Sequence, residues 1–359
     1  MASRRRLALF AVAAAALASL VCLVAVEVVL RVADYPKNKF TPWVRHDALG
    51  FRLAPGIDMP MSSPEYEVEV STNSLGFRDE EPAATGGKRV LAIGDSFTMG
   101  YGVERGELFA DLLEKDLGVD VVNTGTGGYE IIHQVQVLRE YGRELAPDLV
   151  LFSLYLGNDL AQNDEWKRSQ DGASLTSLVR QYPTRHARGT KLGLLLSQFR
   201  YSLRTRQTRD RDEWLPLEGY LELCARELGE GARKDYDLSA SLLAELRGQA
   251  RGLGAELFVV LLPYRSMVEA DALESLRQKV PDLDQAYDLT RPAREIGERL
   301  RQLGIDYLDV TPVLTRAHRD LGKPLFFAVD GHFNVDGHRV VAEALRAPVA
   351  ERLQRRGDL

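Results

Sequence analysis

The chain has 359 residues, of which 45% are hydrophobic and 27% charged, enough to build a full core. A formal net charge of -6 excludes nucleic acid as the main partner. Two cysteines far apart in sequence, Cys22 and Cys224, exclude a disulfide framework and a cysteine-rich zinc site.

Arg4-Arg5-Arg6 opens the chain and precedes Leu7–Val26, twenty residues without a charge. At roughly 1.5 Å per residue such a helix spans a ~30 Å hydrocarbon layer. Ala16-Leu17-Ala18 resembles a cleavage site, but the apolar run continues twelve residues past it, to Leu30. The expectation is therefore an uncleaved signal anchor over residues 1–33, touching the membrane through residues 7–30. Arginines before the span hold the N-terminus in the cytoplasm. The rest of the chain is then expected beyond the inner membrane, in the periplasm or outside the cell.

Residues 34–87 carry Pro36, Pro42, Pro55, Pro60 and Pro64 and show no helical period. Glu65–Val70 alternates polar and apolar residues, which predicts a strand. The stretch reads as a β-rich neck, with Leu-Gly-Phe-Arg at 49–52 and again at 75–78 marking two similar hairpin turns. From residue 88 to 359 strands alternate with helices. Strands are predicted at Arg89–Ile93, Asp120–Asn123, Asp148–Leu156, Glu256–Leu262 and Asp306–Val310. Helices are predicted at Leu108–Leu117, Ile131–Leu145, Ser239–Leu253, Ala293–Leu303 and Val335–Leu353. That alternation predicts a central five-stranded parallel sheet in a three-layer α/β/α, flavodoxin-like sandwich.

An excursion at about 160–236 is too long for a plain loop and reads as an inserted helical segment. Its first part, 160–212, carries eleven Lys and Arg against five Asp and Glu. A solvated cap explains this more simply than a lid for anionic lipid or acidic polysaccharide.

The chemistry gathers at strand ends. The first strand stops at Gly94-Asp95-Ser96, which delivers a serine hydroxyl to the carboxyl edge of the sheet. Such a hydroxyl needs a base to take its proton and donors for the oxyanion that follows. Asp330-Gly331-His332 falls after the last strand and before the final helix. If that loop is extended, Asp330 can hold one imidazole nitrogen of His332 while the other faces Ser96. Asp336 and His338 repeat the spacing, but on the helix. There Asp336 reads as a first-turn acid and His338 as a surface residue. The glycine run 123–128 follows the second strand, and its backbone N–H groups can approach a substrate closely. Gly157-Asn158-Asp159 follows the third and offers the Asn158 side-chain NH₂ as a donor.

Gly94-Asp95-Ser96, Gly128, Gly157-Asn158-Asp159 and Asp330/His332 resemble the four blocks of the SGNH/GDSL hydrolase superfamily, over about residues 88–355. The anchor and neck are similar to those of membrane-anchored bacterial members. The resemblance implies Ser96 as nucleophile, His332 as base and Asp330 as the acid that orients it. It also implies an oxyanion hole from the N–H groups of Ser96 and Gly128 and the Asn158 side chain. Gly128 lies five residues after Asn123, as in family members, and Gly125 is the alternative. The last block departs from the usual pattern, with one residue between Asp and His in place of two. That version is similar to the branch related to alginate O-acetyltransferases.

The expected activity is an extracytoplasmic serine esterase acting on O-acetyl or other acyl groups of a glycan or lipid. An O-acetyltransferase using the same acyl-enzyme is the alternative, and an inactive binding module a third reading. No metal or organic cofactor is implied.

Overall fold

The computed structural model describes residues 2–32, 43–83, 87–160 and 217–355. Residues 1–41 with 179–211 form one unit, and residues 42–178 with 212–359 another. In the first, the described element is the helix α1 (Ala2–Val32). Most of its described apolar side chains, including Leu17, Leu20, Val21, Leu23 and Val24, are exposed. The expected transmembrane span is not found: among the described residues no helix is long and apolar enough to cross a membrane.

The larger unit opens with two antiparallel hairpins. β1 (Trp43–His46) pairs with β2 (Gly50–Leu53), and β3 (Asp58–Ser62) with β4 (Glu67–Ser71). The alternation read from the sequence buries Val68 and Val70 and exposes Glu67 and Glu69. This stretch, expected as a neck, belongs to the same unit as the sheet. Leu49 and Phe77 are fully buried in the main core. Arg78 is buried too, and its guanidinium donates to the carbonyls of Met99, Gly100, Val103 and Glu69. Burial lowers its pKa only to about 10, so it stays charged at neutral pH. The second Leu-Gly-Phe-Arg therefore ties the hairpins to the segment just after Ser96. Only the first closes a hairpin, the one between β1 and β2.

All five predicted sheet strands form: β5 (Arg89–Gly94), β6 (Asp120–Asn123), β7 (Leu149–Tyr155), β8 (Glu256–Leu262) and β9 (Asp306–Asp309). They pair in parallel in the order β6-β5-β7-β8-β9. The central strands β5, β7 and β8 are almost wholly buried, as continuous Val/Leu/Ile runs covered on both faces must be.

Between strands run α2 (Ser96–Met99), α3 (Phe109–Leu117), α4 (Ile131–Leu145), α5 (Leu217–Cys224) and α6 (Glu230–Gly252). After β8 come α7 (Ala270–Lys279), α8 (Leu283–Ala286), α9 (Arg291–Gln302), α10 (Thr311–Leu321) and α11 (Val335–Arg355). α3 packs with α11, while α4 packs with α6 and α6 with α9, giving the two helical layers. The helix expected from Ser239 starts nine residues earlier, at Glu230, because Ala232 and Tyr236 continue its buried stripe. Residues 161–216, with the basic part of the excursion, lie outside the described residues. Its described end is core: Tyr220, Leu223 and Cys224 are buried.

Because β6 lies on one side of β5 and β7 on the other, the chain reverses direction between β5 and β7. Open parallel sheets form their crevice at the carboxyl ends of such a pair of strands. Ser96 follows β5, and Asn158 follows β7.

Candidate active site

The turn after β5 is shaped by what surrounds Gly94. A Cβ there would lie 2.0 Å from Thr98 Oγ1 and 3.0 Å from the Ser153 carbonyl, so no larger residue fits. Asp95 then caps α2, its Oδ1 accepting the Phe97 N–H at 2.9 Å. Ser96 takes the first helical position, half-buried, while Phe97, Thr98 and Met99 go into the core. Burial raises the Asp95 pKa to about 6, against the Phe97 N–H and the charge of His332. Asp159, also buried, is pushed well above the usual carboxylate range by burial and by Asp95, while its Oδ2 accepts the Tyr155 N–H at 2.9 Å. Both acids of the Gly-Asp-Ser and Gly-Asn-Asp blocks thus face inward and shape their loops.

The structure brings Ser96, His332 and Asp330 together. Ser96 Oγ lies 2.7 Å from His332 Nε2, and His332 Nδ1 hydrogen-bonds Asp330 Oδ1. With Nδ1–H donating to the carboxylate, Nε2 is left to accept the serine proton. Burial alone would raise the Asp330 pKa, but the hydrogen bonds from His332 and Tyr66 outweigh it, and the pKa lies below the ordinary value. The acid is therefore ionised at neutral pH.

The Asp330–His332 loop meets the requirement without being extended. Phe326 bridges Phe333, Phe327 N–H donates to the His332 carbonyl, and Gly331 N–H donates to the Phe327 carbonyl. Gly331 turns at φ +82°, a left-handed conformation open to glycine. That turn lets a single intervening residue bring the carboxylate to the imidazole. The His332 ring lies 4.8 Å from Phe97 and is stacked at 5.1 Å on Tyr101. Asn334 then starts α11, its Oδ1 accepting the Gly337 N–H.

The glycine run divides by what its amides already bind. Gly125 N–H donates to Asn123 Oδ1 at 2.9 Å and Thr126 N–H to the Gly94 carbonyl. Among the described residues, no hydrogen bond occupies the N–H of Ser96, Gly127 or Gly128, or the side chain of half-buried Asn158. Gly125 is thereby disfavoured as an oxyanion donor. Gly127 approaches the serine directly: a Cβ on it would lie 3.7 Å from Ser96 Cβ and 3.5 Å from the Trp43 ring.

Two expectations fail or fall short here. His338 is not a surface residue. It is buried, stacked on Phe109, and its Nδ1 accepts the Phe109 N–H at the start of α3. Burial lowers its pKa to about 3. Sequence reading also passed over Glu65, Tyr66 and Trp43, which reach the site from the N-terminal hairpins. Tyr66 Oη donates to Asp330 Oδ2 at 2.9 Å, and Glu65 accepts the N–H groups of Val329 and Asp330. No local motif marks them: the partners of Glu65 and Tyr66 lie some 264 residues away.

Comparison with known proteins gives a family likeness over the C-terminal part of the chain. Residues 210–358 match a family model described as the ALGX SGNH hydrolase-like domain, acetyltransferase AlgX. The span holds Asp330 and His332 but not Ser96. No curated protein sequence matches the chain. Among solved structures it is similar to an acetyl xylan esterase, at 14% identity, covering 73% of this chain and 99% of that one with a TM-score of 0.42. It is also similar to a putative lipolytic protein of the G-D-S-L family from Desulfitobacterium hafniense, at 13% identity, with 72% and 98% covered and a TM-score of 0.40. A catalytic mutant of the acetylxylan esterase Axe2 from Geobacillus stearothermophilus is similar at 15% identity, with 74% and 95% covered and a TM-score of 0.40. Over residues 210–358 the chain is thus similar to the SGNH hydrolase-like domain of that family.

Proposed function

We propose that this protein is a serine esterase that removes O-acetyl groups from a glycan or lipid outside the cytoplasm. The observation that carries the reading is the continuous relay from Asp330 through His332 to Ser96 Oγ. Ser96 Oγ attacks the ester carbonyl as its proton passes to His332 Nε2. The imidazolium is held by Asp330. The oxyanion takes hydrogen bonds from the N–H groups of Ser96 and Gly128 and from the Asn158 amide. The tetrahedral adduct collapses when His332 returns the proton to the departing alkoxide, leaving an acetyl-Ser96 ester. Water, deprotonated by His332, then releases acetate and restores the serine.

A second reading is favoured by the family match, whose description names an acetyltransferase. There a sugar hydroxyl replaces water in the second half-reaction, and the acetyl group passes to a cell-envelope or exported polysaccharide. Incubating the enzyme with p-nitrophenyl acetate, with and without candidate glycans, separates the two. Free acetate alone supports the esterase, acetylated glycan supports the transferase, and no Ser96-dependent turnover of any acetyl ester overturns both.

We also propose that the N-terminus tethers the enzyme to the inner membrane with the N-terminus cytoplasmic. Arg4-Arg5-Arg6 before the uncharged Leu7–Val26 supports this reading, as do the exposed apolar side chains of α1 beyond residue 16. Resistance of the full chain to alkaline extraction from membranes is the expected result, and release by alkali contradicts it.

A further inference from the structure

The loop that presents Asp330 and His332 has little core of its own: Val329 is 54% exposed and Asp330 only half-buried. The turn between β3 and β4 grips it from outside. The Glu65 carboxylate accepts the Val329 N–H at 3.0 Å and the Asp330 N–H at 2.8 Å. Tyr66 Oη donates to Asp330 Oδ2, the oxygen that His332 does not use, and the Tyr66 ring packs on Phe327 at 5.0 Å. An unrestrained carboxylate rotates about its last bond. With both its backbone N–H and its outer oxygen held, Asp330 presents Oδ1 to the imidazole.

We propose that Glu65 and Tyr66 are positioning residues that fix Asp330 and set the basicity of His332 in opposite directions. The inference rests on the reading of His332 as the base. Tyr66 Oη draws charge from the carboxylate and makes Asp330 a weaker partner for an imidazolium. Glu65 places a second negative charge beside the pair and favours the imidazolium. The other titratable groups around His332 are Asp95 and Tyr101 on the nucleophile segment and His338 on α11. None of them is substituted, so all are common to wild type and variants, and Tyr101 also interacts electrostatically with Tyr66.

The experiment is an NMR titration of the His332 imidazole in wild type, Tyr66→Phe and Glu65→Gln, with half-buried His318 as internal control. Tyr66→Phe is expected to raise the His332 titration midpoint and Glu65→Gln to lower it, each by roughly half a pH unit, with His318 unmoved. On p-nitrophenyl acetate, Tyr66→Phe should lower kcat about tenfold, as for loss of a hydrogen bond to a charged group, with little change in KM. A loop merely loosened would take both midpoints in the same direction. That result, or two unmoved midpoints, overturns the proposal. The titration needs no turnover. If Ser96 proved inert, opposite shifts would still establish the positioning role while the catalytic reading failed.

Discussion

The two loops that meet at the site are built in opposite ways. The Ser96 turn is made from its own neighbourhood: Gly94 admits Thr98, Asp95 caps α2, and Phe97 to Met99 anchor it in the core. The Asp330–His332 loop is held from a distance, by Glu65 and Tyr66 on a hairpin at the other end of the chain. The Ser96 turn is thus fixed by local sequence and burial, whereas the His332 loop depends on a tertiary contact. Errors in the first loop should cost folding as well as activity. Errors in the second should cost activity with the fold intact.

The largest expected effect separates chemistry from scaffold at one atom. Ser96→Ala should lower kcat by on the order of 10⁴-fold or more in a steady-state assay, with the denaturant midpoint unchanged. Asn158→Ala should lower kcat by roughly 10²–10³-fold if its amide meets the oxyanion, again without loss of stability. Gly94→Ala reverses the pattern. Its Cβ collides with Thr98 Oγ1, and overpacking of that kind should cost about 1–3 kcal/mol in chemical denaturation.

The smallest effect tests the buried His338 that braces α3. Its folded pKa, near 3, lies below the unfolded value of about 6.5, so the unfolded state binds the extra proton between them. Wild type should therefore lose stability as pH falls below about 6.5. His338→Gln lacks that loss. The stability difference between the two should change in favour of the variant by about 1.4 kcal/mol per pH unit between pH 6 and 4. A difference independent of pH would mean that His338 is charged in the folded protein.

The same contrast explains what could be read from the sequence. β5, β7 and β8 were legible because strands buried on both faces are written as unbroken apolar runs, and β6 and β9 because they alternate with helices. Ser96, Asn158, Asp330 and His332 were legible because each sits in a short motif at a strand end. β1 to β3 were not, being four or five residues long, with Pro60 inside β3. α7 and α10 carry too few apolar positions to show a stripe; Leu314 is the one buried residue of α10. His338 looked exposed because a polar residue in a polar first turn does not reveal that Phe109 stacks on it. Glu65 and Tyr66 fell within a predicted strand, and nothing local tells a strand glutamate from one that holds the Asp330–His332 loop.

Labelling with a fluorophosphonate, followed by peptide mass mapping, asks most directly whether Ser96 is an activated nucleophile. A single adduct on Ser96, absent from Ser96→Ala and strongly slowed in His332→Ala, is the predicted result. Folded protein that takes no label, or takes it at another residue, would contradict the account.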